Sequence, residues 1–101
     1  MIDTLDQFKA SLTQAQPPSG LSPALEALWH DGRGDWDRAH QVAQDIEDST
    51  GAWIHAYLHR REGDLGNAAY WYRRAAKAVA AGSLDDEWTK IVETLLRNLK
   101  M

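Results

Sequence analysis

Two stretches of this chain share one pattern: residues 27–39 read ALWHDGRGDWDRA and residues 56–68 read AYLHRREGDLGNA. The second lies 29 positions after the first, and five positions are identical in the two stretches. In each copy a glycine suited to a left-handed turn, Gly34 or Gly63, precedes an aspartate that can cap the next helix. A period of this length is typical of helical-hairpin repeats, in which each unit buries its apolar face against a neighbour. The pattern predicts two consecutive helical hairpins.

The apolar spacing outside the repeat extends this prediction to about six helices in a single all-α domain. No stretch alternates with the period of two that is typical of strands. The predicted parts are an N-terminal helix (1–15), a Pro- and Gly-containing linker (16–21), a first hairpin (22–50), a second hairpin (51–82) and a C-terminal capping helix (83–101). The N-terminal helix could cap its own chain or reach into a neighbouring subunit.

Capping residues and prolines predict where each helix begins and ends. Ser22 before Pro23 starts the second helix, the double proline at 17–18 ends the first, and Gly82 ends the fifth. Ser83 then caps the sixth. The predicted helices cover residues 2–15, 23–31, 36–46, 52–62, 65–81 and 84 onward, with apolar positions up to Leu99.

Residues 63–77, GDLGNAAYWYRRAAK, resemble the second helix of a repeat in the tetratricopeptide superfamily, and in particular in its Sel-type subgroup. The likeness rests on small and aromatic residues at Ala68, Ala75, Ala76, Trp71 and Tyr72. It covers about residues 22–82, with a more diverged first unit. The resemblance implies a stack of antiparallel hairpins with flanking caps, and a role in binding other proteins. The blocks at 29–32 and 55–59 are also similar to small bacterial proteins, which implies no particular activity.

Composition excludes several classes of function. The net charge of −4 and pI near 5.4 argue against nucleic-acid binding, which normally needs a basic surface. The absence of cysteine excludes disulfides, thiolate catalysis and cysteine-ligated metals. No apolar run is long enough to span a membrane, and the acidic start at residues 1–6 is unlike a secretory signal. We therefore expect a cytoplasmic protein.

Charge and aromatic content indicate where a partner could bind. Residues 1–50 carry three cations against nine acids, whereas residues 51–101 carry eight against six. The consecutive aromatics 70–72 span too much of a helix circumference to face one way, so at least one should be exposed. We expect an adaptor-type interaction module without enzymatic activity or cofactor that binds a peptide or helix through Arg60, Arg61, Tyr70, Trp71, Arg73 and Arg74. Self-association through the acidic and basic halves is an alternative.

Histidine spacing supports an alternative of a different class. His55 and His59 stand four apart, so both can face one metal ion from one helix. The repeat predicts that His30 lies near His59, and His40 or Asp31 could complete the ligand set. No complete motif such as His-Glu-x-x-His is present. The main prediction therefore has no metal or catalytic residue, and a histidine-based metal-binding or catalytic protein is the alternative.

Overall fold

The computed structural model describes residues 2–98, which form six α-helices and no β-strand. The helices are α1 (Leu5–Ser11), α2 (Pro23–Gly32), α3 (Trp36–Gln44), α4 (Ser49–Arg61), α5 (Leu65–Arg74) and α6 (Leu84–Asn98). This confirms the all-α class. Within the described range no helix has both the length and the apolar character needed to cross a bilayer. Position Leu99 of the sixth predicted helix lies outside that range.

The duplicated pattern corresponds to two hairpins, one formed by α2 and α3 and one by α4 and α5. The second helices begin 29 residues apart, at Trp36 and Leu65. The glycines between the helices have the predicted left-handed backbone, with φ of 84° at Gly34 and 90° at Gly63. The repeat seen in the sequence is therefore also a repeat of backbone structure.

Side-chain caps begin the helices at the predicted positions. The hydroxyl of Ser22 accepts a hydrogen bond from the N–H of Leu25, three residues into α2. Asp35 and Asp64 cap α3 and α5 in the same way, and Ser83 caps α6. Each cap satisfies a donor that the first turn of a helix leaves free.

The fifth helix is shorter than predicted, because it ends at Arg74 and not at residue 81. Ala76 has a left-handed backbone with φ of 57°. The N–H of Ala76 donates to the carbonyl of Arg73, and the N–H of Lys77 donates to that of Tyr72. These two hydrogen bonds form a Schellman motif. The same motif ends α2 at Gly34 and α4 at Gly63. The prediction missed it because alanines favour helix, whereas the ending places an alanine in a conformation that favours glycine.

Replacing Ala76 by glycine should therefore stabilise the protein. An alanine at positive φ is strained, and glycine is not, so we expect Ala76→Gly to raise the free energy of unfolding by about 0.5–1 kcal/mol. Urea denaturation of both proteins measures the change. The matched variant Gly63→Ala, at the equivalent position of α4, should lower the free energy of unfolding. A lower stability of Ala76→Gly would contradict the proposed strain.

Four other helix ends differ from the prediction by two to four residues. Helix α1 begins at Leu5, behind a capping box formed by Thr4 and Gln7. It ends at Ser11 and not at residue 15. The Arg33 guanidinium, from the end of α2, donates to backbone carbonyls just beyond this end. Helix α3 ends two residues early, at Gln44. Helix α4 begins three residues early because Asp48 caps it.

The C-terminal helix packs on the first helices of the hairpins, and the N-terminal helix packs on the C-terminal helix. Helix α6 lies against both α2 and α4, and α1 lies against α6. The indole N–H of Trp88 donates to the carbonyl of Leu28 at 3.0 Å, and the fully buried Phe8 lies 5.7 Å from the Trp88 ring. Helix α1 therefore packs on its own chain. Because α6 covers α2 and α4, the second helices, α3 and α5, carry most of the exposed repeat surface.

Candidate functional site

Three histidines from the two hairpins converge in the structure. His40 comes from α3, and His55 and His59 come from α4. One ring nitrogen of each lies within 4.8 Å of those of the other two, and the Nε2 atoms of His40 and His55 are 3.1 Å apart. His55 and His59 are buried, and His40 is half-buried. We call these three residues the histidine cluster.

Tryptophans hold the cluster rings in place. The indole N–H of Trp36 donates to the carbonyl of Leu58 at 2.8 Å, which fixes α3 against α4. The Trp36 ring stacks on His40, with centroids 4.9 Å apart. Trp71 of α5 stacks on His55 at 4.2 Å, with an interplanar angle of 9°. Both hairpins therefore contribute to the orientation of the imidazoles.

A carboxylate fixes the tautomer of the third histidine. Nδ1 of His59 lies 2.7 Å from Oε1 of Glu62. Since a carboxylate accepts, Nδ1 carries a proton, and in the neutral ring Nε2 is then the nitrogen with the lone pair. Metal-binding histidines usually have such a partner on the other ring nitrogen. Asp64 lies close to this pair as well, but its side chain already caps α5 through the N–H of Asn67.

The surroundings keep two of the histidines uncharged. Burial, followed by the neighbouring His40 and His59, lowers the pKa of His55 from 6.5 to about 4. Burial, followed by the neighbouring His59, also lowers the pKa of His40, against the opposite effects of Glu62 and Asp37. Neutral imidazole is the form that binds metals, so protons compete weakly at neutral pH.

The three imidazoles form a ligand set that could hold a metal ion. Zn²⁺ binds imidazole nitrogen at about 2.0–2.1 Å, so two ligands of a tetrahedral ion lie about 3.3 Å apart. The distance of 3.1 Å between Nε2 of His40 and Nε2 of His55 is close to this value. Three imidazoles without sulfur ligands suit zinc, copper, nickel or iron.

The low pKa of His55 predicts a loss of stability in acid. Between its folded value of about 4 and its ordinary value of 6.5, the unfolded chain binds more protons than the folded one. The stability that depends on an uncharged His55 is fully present above pH 6.5. It is lost as the pH falls toward 4, which lowers the free energy of unfolding by at most about 3 kcal/mol. Urea denaturation of the metal-free protein at a series of pH values measures the loss. His55→Gln should show a smaller loss, and equal losses in His55→Gln and wild type would contradict this assignment.

His30 lies outside the histidine cluster, although the repeat predicted that it would lie near His59. Its Nε2 lies 3.7 Å from Oε1 of Glu26, and its ring meets the edge of Trp29. His40 occupies the place near His59 that the repeat assigned to His30. The sequence offers His40 as a candidate to complete the ligand set, and the packing of α3 on α4 brings it to His55 and His59.

The predicted partner-binding residues fall into two groups. Arg60 donates to Oε1 of the buried Glu87 at 2.9 Å, and Arg61 lies 3.3 Å from Oδ1 of the buried Asp31. These two arginines therefore form ion pairs within the chain.

The remaining four predicted residues lie on α5. The guanidinium of Arg74 lies 5.3 Å from the Trp71 ring and 5.9 Å from the Tyr70 ring, and it donates to the Tyr70 hydroxyl. Tyr70 is 43% exposed, and Arg73 is exposed. We call Tyr70, Trp71, Arg73 and Arg74 the α5 patch. Through Trp71, the α5 patch adjoins the histidine cluster.

No family model, curated protein or solved structure matches the chain.

Proposed function

We propose that this protein binds a divalent first-row transition metal ion, with Zn²⁺ as the reference case, through His40, His55 and His59. The observation that carries the proposal is the convergence of one ring nitrogen from each of these residues within 4.8 Å. The duplicated hairpin supports a tetratricopeptide-like scaffold as the frame that brings the two helices together.

Three further features support metal binding. Their lowered pKa values keep His40 and His55 uncharged at neutral pH, which is the form that binds metals. Glu62 orients His59 through Nδ1. Tryptophan rings stacked on two of the imidazoles restrict their rotation before an ion arrives. With three protein ligands, the fourth position of a tetrahedral ion is left for water or an external ligand.

Calorimetric titration of the metal-free protein with zinc tests the proposal. We expect one zinc ion per chain. Glu62→Gln should weaken binding by about 10- to 100-fold, which is typical of losing such a carboxylate partner. His40→Ala should weaken it further, because one of only three protein ligands is lost.

His30→Ala is the matched control, since this histidine lies outside the cluster. It should bind zinc like the wild type once circular dichroism shows that each variant is folded. Equal zinc affinity of wild type and His40→Ala would contradict the proposal, as would loss of binding in His30→Ala alone.

The α5 patch supports a second candidate, the protein-interaction module expected from the sequence. The exposed Tyr70 lies beside Arg73 and Arg74, and Trp, Tyr and Arg are enriched in interaction hot spots. Capture from a native lysate with wild type and with the double variant Arg73→Glu, Arg74→Glu tests it. A partner lost with the variant supports an adaptor. An oligomer seen by light scattering and lost with the same variant supports self-association. If neither a partner nor an oligomer is found, this second candidate is excluded.

A further inference from the structure

A cleft separate from the histidine cluster lies where α1, α2, α4 and α6 meet. Its volume is about 360 Å³, within the usual range of small-molecule pockets. Asp31 and Tyr57, both buried, form its floor, and Lys9, Arg61 and Asp85 are exposed around it. None of these residues contributes to the proposed metal site.

The floor contains a carboxylate oxygen without a hydrogen-bond donor. Asp31 is only 2% exposed, and its Oδ2 accepts from the Tyr57 hydroxyl at 2.9 Å. Among the described residues no group donates a hydrogen bond to Oδ1. The nearest charge is Nε of Arg61 at 3.3 Å. Burial raises the pKa of Asp31, which reflects the cost of keeping this carboxylate charged inside the protein. Oδ1 is therefore a position that a donor from a ligand would stabilise.

The arginine over this oxygen is partly exposed and makes only long contacts with the floor of the cleft. The Arg61 side chain is 38% exposed, and Nη1 is 3.5 Å from the Tyr57 hydroxyl, a long contact. A ligand can take the place of Arg61 at Asp31 only if the arginine receives an acceptor in return. The cleft carries two acids, Asp31 and Asp85, and two cations, Arg61 and Lys9. A ligand with one charge of each sign preserves this balance, whereas a ligand with a single charge does not.

One wall of the cleft is apolar. It consists of Leu12 and Trp88 beside Gly32 at the end of α2. A Cβ atom at Gly32 would come within 3.0 Å of Leu12 and 3.1 Å of Trp88. The glycine therefore keeps these side chains close to the helix, and the wall can accept a hydrocarbon group.

We propose that this cleft binds a small zwitterion that carries an ammonium group, a carboxylate and an apolar substituent, the chemical class of the free aliphatic α-amino acids. The ammonium donates to Oδ1 of Asp31, and the Arg61 guanidinium moves to the ligand carboxylate. The apolar substituent lies against Trp88. Tyr57 keeps its hydrogen bond to Oδ2 throughout.

Amide chemical shifts of the metal-free protein, recorded by NMR during titration, test this proposal independently of the metal site. The probes are leucine, methylamine and acetate, and the last two carry one charge each. We expect leucine to shift amides around residues 31, 57 and 88 in a saturable way, and methylamine and acetate to bind at least tenfold more weakly. Absence of saturable shifts up to the solubility limit of leucine would overturn the proposal, and so would equal binding of acetate.

Two variants then locate the ligand charges. Asp31→Asn keeps an acceptor for Tyr57 but removes the charge that the ammonium needs, and Arg61→Gln removes the partner of the carboxylate. Each should weaken leucine binding at least tenfold. The control Asp37→Asn makes the same change at an exposed site on α3 and should bind leucine like the wild type. If either variant fails to fold, the comparison of the three probes on the wild type still decides the outcome.

Discussion

Replacing Glu87 by alanine is expected to lower the free energy of unfolding by about 3–5 kcal/mol, because it leaves the buried Tyr72 hydroxyl without its acceptor and the half-buried Arg60 without its carboxylate partner. Glu87 of α6 is 6% exposed, and its Oε1 accepts from Arg60 at 2.9 Å. Its Oε2 accepts from the Tyr72 hydroxyl at 2.5 Å. This carboxylate therefore joins α4, α5 and α6. Since domains of this size have a stability of only about 5–15 kcal/mol, the variant should be close to unfolding.

Urea denaturation of three variants measures this effect and its controls. Glu93→Ala makes the same change at an exposed position of α6 and should change stability by no more than about 0.5 kcal/mol. Glu87→Gln keeps the shape and one acceptor, so its loss should be smaller than that of Glu87→Ala. A cost of less than 1 kcal/mol for Glu87→Ala would show that Arg60 and Tyr72 find other partners.

Zinc is expected to stabilise the folded protein strongly. An ion that binds only the folded state at a free concentration 100 times its dissociation constant adds about 2.7 kcal/mol. For a chain of this length that is a rise in Tm of about 10–20 °C. The reason is structural, since one ion would connect α3 of the first hairpin to α4 of the second. Thermal unfolding followed by circular dichroism, with and without zinc, measures the rise.

His40→Ala should lose most of this rise, because α3 then contributes no ligand. His30→Ala should keep it. Magnesium, which prefers oxygen ligands, should give no comparable rise in the wild type. An equal rise for His40→Ala and wild type would mean that zinc stabilises the protein at another place.

Local features of the chain were predictable from the sequence. The caps at Ser22, Asp35 and Asp64 and the turn at Gly63 depend on interactions within a few residues, and the structure has them all. The end of α5 depends on tertiary structure instead. After Ala76 the chain leaves the helix, and the Lys77 ammonium lies 4.2 Å from the ring of Trp53 on α4. Helix propensity contains no information about that contact.

The candidate site was predictable only in part, for the same reason. His55 and His59 are one helical turn apart, so spacing alone pairs them. The third histidine depends on how α3 packs against α4, which the indole of Trp36 fixes through the carbonyl of Leu58. The repeat predicted His30 because His30 and His59 occupy equivalent positions in the two units. The packing of the helices instead places His40 next to His59.

The charged residues show the same limit. Arg60 and Arg61 look like part of an exposed basic run in the sequence. Their partners, Glu87 and Asp31, are 27 and 30 residues away along the chain, and no local pattern connects them. The exposure of Tyr70, by contrast, follows from helix geometry, because three consecutive aromatics cannot share one face.

A crystal structure of the protein grown with zinc, with data collected at the zinc absorption edge, is the decisive test of the three-histidine site. We expect an anomalous peak about 2.0–2.1 Å from one ring nitrogen each of His40, His55 and His59, with Glu62 still bound to Nδ1 of His59. A peak bound to other residues, or no peak between α3 and α4 when zinc is in excess, would contradict it.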